Sequence, residues 1–349
     1  MIGVVASDLR GAAASALHEA GLPSRHADIV GDALVDAEMW GKASHGFLRL
    51  PVYVERVRRG GIRPEEPQVV IDNGAVTVVD AMGAAGQVAA VFAADTAAGR
   101  ACDVGVAVTA VRNSNHVGHV GYVARRGARR GVVCGCLSNA SPRLSLGGAA
   151  GPILGNNPWS VALPRVDGPI VVDMANSQVA AGKIREALSA GVPIPEGWAL
   201  DEMGKPTSDP AVALAGSLLP MAGHKGFAIA LLVSVLTAGL AGAETEGAVR
   251  AVDDVASAQN MSQVVWALEP SFFAGREVFA EVVEAVSERL GGSNGRARLP
   301  GTVHSRLRSV AGKEVVVFDE VTWRRVEGEL SALLGSRRVS ALEVVSLDE

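Results

Sequence analysis

The chain has 349 residues, enough for two domains or one large one with a substantial core. Hydrophobic residues make up 48% and charged residues 20%, a globular balance that excludes a disordered chain. A formal charge of −5 and only 4% aromatic residues exclude a basic, base-stacking nucleic-acid binder.

In chain order, Ser7 and Asp8 read as the cap of a helix ending at Gly21, and Ser24 as the cap of a second running to about Met39. A third apolar-periodic stretch, 47–59, stops at Gly60-Gly61, and the short loops predict a small orthogonal bundle. The period then changes. Segments 68–72 and 75–80 flank Asn73-Gly74, the signal for a type I′ hairpin. A helix over about 86–103, a strand over 105–111, a helix ending near Gly131 and a strand over 132–138 follow. A Gly-rich loop (139–157) leads to a second hairpin at Asp167-Gly168. Hairpins alternating with crossovers predict a mixed sheet with helices, an α/β fold.

Residues 192–210 are dense in Pro and turn formers but carry Ile194, Trp198 and Leu200, which predicts an ordered loop. The uncharged stretch 227–243 is at the short end of what spans a bilayer and holds Ser234 and Thr237; it is read as a buried core helix, with no membrane partner. An amphipathic helix over about 319–334 and a β-prone tail close the chain. The first 21 residues lack the basic and apolar regions of a signal peptide. Cys102, Cys134 and Cys136 form neither a disulfide framework nor a zinc knuckle, so the expected setting is the reducing cytoplasm. On a strand, Cys134 and Cys136 point to the same face.

Four of the seven histidines lie in polar, Gly-flanked junctions: His45, His116, His119 and His224. Imidazole titrates near neutrality, which suits it to proton transfer. Ser44, His45 and Arg49 lie within six residues, and together offer a hydrogen bond, a proton and a planar carboxylate clamp. The plainer alternative makes Ser44 a helix cap and leaves Arg49 on the solvent face. The run Asn113-Ser114-Asn115-His116 follows a strand end, where α/β proteins commonly place active-site groups. His116-x-x-His119 is also half of a metal site, with no carboxylate or Cys nearby in sequence to complete it. His224-Lys225 opens the apolar helix, a helix start suited to phosphate. A fourth polar turn runs from Asp173 to Ser177 and on to Lys183 and Arg185. Neither a G-x-G-x-x-G nor a P-loop fingerprint occurs.

Taken in order, the stretches SHGFLRLPVYVERVRRGGI, VRNSNHVGHVGYVA, ILGNNPWSVALP, VVDMANSQVAAGKIREA, IPEGWALDEMGKPTSDP and LLPMAGHKGFAIALL resemble the non-Rossmann malate/L-lactate dehydrogenase family. Ureidoglycolate and sulfolactate dehydrogenases and piperideine-2-carboxylate reductases belong to it. The likeness spans 44–232, with a further match at Arg298-Leu299-Pro300-Gly301.

The resemblance implies a helical domain built from both chain ends (1–70 and 311–349) and a mixed-sheet α/β domain (71–310) that binds cofactor and substrate, not a Rossmann fold. It implies a homodimer with the active site near the subunit interface. It also implies NAD or NADP as cofactor, a small 2-oxo or 2-hydroxy acid as substrate, and no metal. By motif, His45 corresponds to an acid–base residue, with His116 in the same pocket as the other candidate, and Ser44 and Arg49 to substrate contacts. Asp173, Met174, Ala175, Asn176, Ser177, Lys183, His224, Lys225 and Gly301 correspond to cofactor contacts.

This chain departs from the family pattern at Val52, where a second arginine is common, at Thr302, where Glu is usual, at Ser234, and at His119, where small apolar residues are usual. Two enzymatic alternatives stay open: a cyclic ketimine reductase using the same residues, and a metal-dependent hydrolase using His116, His119 and a carboxylate. A third is a cofactor-binding protein without turnover.

Overall fold

In a computed structural model, residues 1–149, 151–291, 299–300, 306–310 and 312–346 are described. The helices are α1 (Ala6–Ala20), α2 (Ser24–Met39), α3 (Leu50–Arg58), α4 (Gly86–Val104), α5 (Val120–Ala128), α6 (Ala181–Ala190), α7 (Pro210–Ala215), α8 (His224–Ala241), α9 (Arg276–Gly291), α10 (Glu320–Leu334) and α11 (Ser336–Val339).

The largest sheet holds β2 (Gln68–Asn73), β3 (Val76–Asp80), β4 (Val106–Ser114), β5 (Val133–Ser138), β8 (Trp159–Leu163), β9 (Ile170–Met174) and β13 (Met261–Leu268). Its order is β2-β3-β4-β13-β5-β8-β9. Only β3 and β4 run parallel, joined by the α4 crossover, so the sheet is mixed as expected. A smaller sheet combines β6 (Pro142–Leu144), β7 (Leu154–Gly155), β10 (Ala199–Leu200), β11 (Pro206–Thr207) and β12 (Ser217–Leu218). Both the Gly-rich loop and the Pro-rich segment thus contain short paired strands.

The first seventy residues differ from the expected helical bundle by an added strand, and the β-prone tail pairs with it. β1 (Ile2–Val5) lies between β15 (Lys313–Phe318) and β16 (Val344–Ser346), with β14 (Leu307–Val310) beside β15. The apolar faces of α1, α2, α3 and α10 pack on this antiparallel sheet around Leu9, Leu17, Leu34, Phe47, Val316, Phe318 and Leu330. Neither Ser7 nor Ser24 caps its helix; Val5 and Pro23 occupy those positions, without side-chain caps. At the first hairpin only Gly74 carries positive φ, so the turn is not type I′.

The seven buried alanines of α4, from Ala89 to Ala101, let the helix approach the large sheet closely. Cys134 and Cys136 do share a face and are buried in that core as free thiols. Between them, Gly135 passes beneath Trp266: a Cβ there would lie 2.1 Å from the indole.

α8 corrects the expectation of a buried core helix. Ala230, Val233, Ala238 and Ala241 are buried, and the helix packs on β13 and β4, but Leu231, Leu232, Val235, Leu236 and Leu240 are exposed. Among the described residues it is the one helix long and apolar enough to cross a membrane by length and composition.

Candidate active site

The site is built where the bundle meets the large sheet. After α2 the chain turns through two short 3-10 segments, Ala43–His45 and Phe47–Arg49, before α3 begins. The turn rests on the buried carboxyl of Glu38, which accepts from Phe47 N at 3.0 Å. Gly46 is required here, because a Cβ would stand 2.1 Å from Glu38 Oε1. Burial pushes the Glu38 carboxyl above its ordinary range.

Ser44 is not a helix cap and Arg49 is not a solvent-face residue. Ser44 Oγ lies 2.9 Å from His45 Nδ1, and Arg49 Nε donates to the Ser44 carbonyl at 2.8 Å. His45 stacks on His116 with ring centroids 5.7 Å apart.

His116 follows β4 in a loop held from three sides. Its N–H donates to Gln259 Oε1 at 2.9 Å. The buried Asn115 side chain donates to the carbonyls of Gly83 and Ala84 and accepts from Arg56 at 2.8 Å. Arg56 also donates to the Gly61 and Ser257 carbonyls, which ties α3 to this loop. Gly86 allows the close approach of α4, since its Cβ would meet Asn115 O at 2.1 Å.

Tyr53 of α3, a residue sequence reasoning missed, places its hydroxyl 2.6 Å from His116 Nδ1, and Gln87 Nε2 donates to that hydroxyl at 3.1 Å. The phenol oxygen can accept from Gln87 Nε2 and from a protonated Nδ1 together. A neutral His116 that donates from Nδ1 to this oxygen keeps Nε2 bare, able to accept a proton. Burial, followed by Arg49, His45 and Arg56, holds the His116 pKa well below 6.5. Burial and then the neighbouring Arg49 and His119 lower His45 to about 3. Both imidazoles are neutral at pH 7.

Ser44, His45, Arg49 and His116 line a cavity of about 520 Å³ together with Lys42, Arg143, Asp173, Met174, Ala175, Ser177 and Arg185. Arg185 is held below its ordinary value by partial burial and then by the like charges of Arg49 and Arg143; Asp253 offsets them. Three guanidiniums thus converge on one pocket. Asn139 Nδ2 and Ser177 Oγ, both at the pocket, are buried without hydrogen-bond partners among the described residues. An orphaned amide donor and a hydroxyl fit the carboxamide and ribose groups of a nicotinamide cofactor.

The remaining expected residues fall elsewhere. Asn176 is buried beneath the pocket floor, accepting from Trp159 Nε1 at 3.3 Å and donating to the Asn157 carbonyl at 2.6 Å. Lys183 pairs with Glu186 on the exposed side of α6. His224 and Lys225 are exposed at the start of α8, three and four residues past Met221, which does line the pocket. Gly301 and Thr302, like Arg298 and His304, lie outside the described residues. His119 is brought against two carboxylates, Asp36 and Asp173, that sequence proximity does not reveal. Among the described residues, no three His, Cys, Asp or Glu side chains are grouped as a metal ion requires.

A family model for malate/L-lactate dehydrogenases matches residues 4–327. This chain belongs to the malate/L-lactate dehydrogenase family. It is 36% identical over 311 residues to a (2R)-3-sulfolactate dehydrogenase (NADP(+)) of Chromohalobacter salexigens, covering 88% of this chain and 92% of that one. The sulfolactate dehydrogenase structure from Methanocaldococcus jannaschii superposes with a TM-score of 0.84 at 31% identity, covering 95% of this chain and 97% of the other. A Δ1-piperideine-2-carboxylate reductase from Pseudomonas syringae pv. tomato gives 0.83 at 28% identity, with 94% and 99% covered. As a malate/L-lactate dehydrogenase family member, the chain is an NAD(P)-dependent oxidoreductase with the mixed α/β fold expected from its motifs.

Proposed function

We propose that the enzyme interconverts a small 2-oxo acid and its 2-hydroxy acid, and that its substrate carries a second anionic group besides the C1 carboxylate. The observation that carries this reading is the convergence of Arg49, Arg143 and Arg185 on the pocket that holds His45 and His116. Three guanidiniums offer more positive charge than one carboxylate neutralises, and a planar fork binds carboxylate or sulfonate through two parallel N–H groups. A cyclic ketimine, with one carboxylate and an iminium that is itself cationic, suits this pocket less well, although a relative of that activity shares the fold.

When bound, NAD(P)H supplies the hydride for C2. Arg49 has its Nε committed to Ser44, and its terminal N–H groups clamp the substrate carboxylate. His116 handles the proton through Nε2, because its Nδ1 is engaged by Tyr53, which Gln87 holds in place. In the oxidation direction the neutral imidazole accepts the hydroxyl proton. In reduction, an anionic substrate beside Arg49 offsets that arginine's effect and raises the imidazole's affinity for the proton it donates. His45, with Nδ1 engaged by Ser44, packs on His116 and completes the wall. Asp173, Met174, Ala175 and Ser177 serve the cofactor from the opposite side.

The chain divides into a domain from both ends (1–70 and 311–349), where helices pack on an antiparallel sheet, and a cofactor- and substrate-binding domain (71–310). It works as a homodimer, with the exposed leucines and valine of α8 as the mating face and the site near that interface. Its free thiols accord with the cytoplasm.

A panel of oxaloacetate, 3-sulfopyruvate, pyruvate and piperideine-2-carboxylate, each with NADH and NADPH, tests the reading. The dianionic 2-oxo acids should give the highest kcat/KM; preference for the cyclic imine would overturn the substrate assignment.

A further inference from the structure

Behind the pocket wall runs a chain of charges that none of the proposed catalytic steps uses. Arg125 of α5 bonds Asp36 of α2. Asp36 Oδ2 lies 3.4 Å from His119 Nδ1, an ion-pair distance without a hydrogen bond. His119 Nε2 lies 2.9 Å from Asp173 Oδ2, and Lys42 Nζ stands 3.5 Å from that same oxygen. The His119 side chain is 4% exposed and Asp36 9%, whereas Lys42 is open at 41%. Asp173 and Lys42 line the pocket.

Two features make this a built arrangement. Gly121 leaves the room for it: a Cβ there would lie 2.8 Å from His119 Nε2 and 3.2 Å from Asp173 Cβ. Each ring nitrogen of His119 also faces a carboxylate, which only accepts hydrogen bonds. A neutral ring would turn one bare lone pair towards an anion; the charged ring sets its positive charge between the two. Geometry alone therefore favours the imidazolium.

We propose that His119 is a positioning residue for the cofactor: charged and clamped between Asp36 and Asp173, it fixes the Asp173 carboxylate at the pocket wall by one oxygen, leaving the other to accept a hydroxyl or amide hydrogen of NAD(P). This inference rests on the nicotinamide-cofactor reading of the pocket.

The clamp has a pH dependence. Burial lowers the His119 pKa, but Asp173 and Asp36 outweigh it and leave it raised above 6.5. The groups facing the ring are Asp36 and Arg125 from the helices, Asp173 from β9, and Lys42 and His45 from the loop after α2. Cys136, whose thiol burial pushes up and keeps neutral, adds no charge near Asp173. As pH rises through the raised pKa, the ring loses its proton and the hold on Asp173 weakens. Cofactor affinity falls with it.

The test compares wild type, His119→Leu and His119→Gln by three measurements. These are histidine NMR titration of the cofactor-free protein, the Kd for NADH and NADPH by fluorescence, and kcat at saturating cofactor. Wild-type His119 should titrate above 6.5, and Asp173→Asn should lower that value. His119→Leu should raise the cofactor Kd about tenfold or more, as expected for a lost charged hydrogen bond, and move kcat by less than about threefold. His119→Gln, which still donates to Asp173, should recover part of the affinity, and it carries the test should the Leu variant fail to fold. The rise of Kd with pH should vanish in both variants. Unchanged Kd and pH profile in the variants, or His119 titrating at or below 6.5, would overturn the proposal alone. A wild-type protein that binds neither NADH nor NADPH would overturn the cofactor reading along with it.

Discussion

Tyr53 and His116, 63 residues apart in the chain, meet at 2.6 Å between the phenol oxygen and Nδ1. That contact joins α3 to the loop after β4 and leaves Nε2 as the imidazole nitrogen not engaged by Tyr53. The proton-transfer assignment rests on it. His116→Ala should lower kcat by about 10²–10⁴-fold, the usual contribution of a general acid–base group, with NAD(P)H binding preserved. His45→Ala should cost less, and Tyr53→Phe roughly tenfold, through loss of one orienting hydrogen bond. Steady-state kinetics with a cofactor fluorescence titration check the order; His45→Ala as the more damaging change would reverse the assignment.

The pH profile follows from the same geometry. His116 has its pKa held well below 6.5, so the form that accepts a proton persists as pH falls through 6.5. At saturating cofactor, kcat/KM for the hydroxy acid, which reports the substrate-free site, should stay level from pH 8 down to 6 and decline only at lower pH. A midpoint near 6.5 in that profile would contradict the buried, cation-flanked histidine.

Arg49→Lys should not be a mild change. A lysine replaces the planar fork with a point charge and gives up the bond to the Ser44 carbonyl. KM for the 2-oxo acid should rise at least tenfold, with cofactor KM little altered. Arg185→Gln should instead reduce the preference for dianionic over monoanionic substrates, measured as the ratio of their kcat/KM values.

Gly46→Ala tests the seat beneath His45. The added Cβ would fall 2.1 Å from the buried Glu38 carboxylate, which cannot swing into solvent. Overpacking of this kind costs about 1–3 kcal/mol. Thermal melting should show the loss, and activity should fall further as the Ser44–Arg49 turn shifts.

For the proposed dimer, glutamates at Leu232 and Val235, both 60% exposed on α8, should give monomers in sedimentation or gel filtration. An unchanged assembly state would place the interface elsewhere.

Much of the site was legible because its parts lie in contiguous motifs: Ser44, His45 and Arg49 in one turn, His116 in another, Asp173 to Ser177 in a third. Tyr53 was hidden by the periodicity that revealed its helix, since an aromatic on the apolar face of α3 reads as core. Its hydroxyl, which a buried tyrosine must satisfy, was the available signal. Asp36 was hidden likewise inside α2, and Arg143 in a loop whose glycines masked two short strands. β1 escaped notice because four residues beside a long helix show too little alternation to count. The misjudged burial of α8 has another cause: an all-round apolar helix carries no periodicity to say which face meets its own chain.

The edge pairing of β1 with both β15 and β16 also bears on how the protein is made. The N-terminal helices that present Ser44, His45 and Arg49 pack on a sheet whose other strands are synthesised after every residue named in the pocket. A ribosome-bound chain that has already produced every pocket residue still lacks the support for one wall of the pocket. Activity should therefore emerge only after the closing strands leave the exit tunnel, and trimming them should silence an enzyme whose reacting groups are all present.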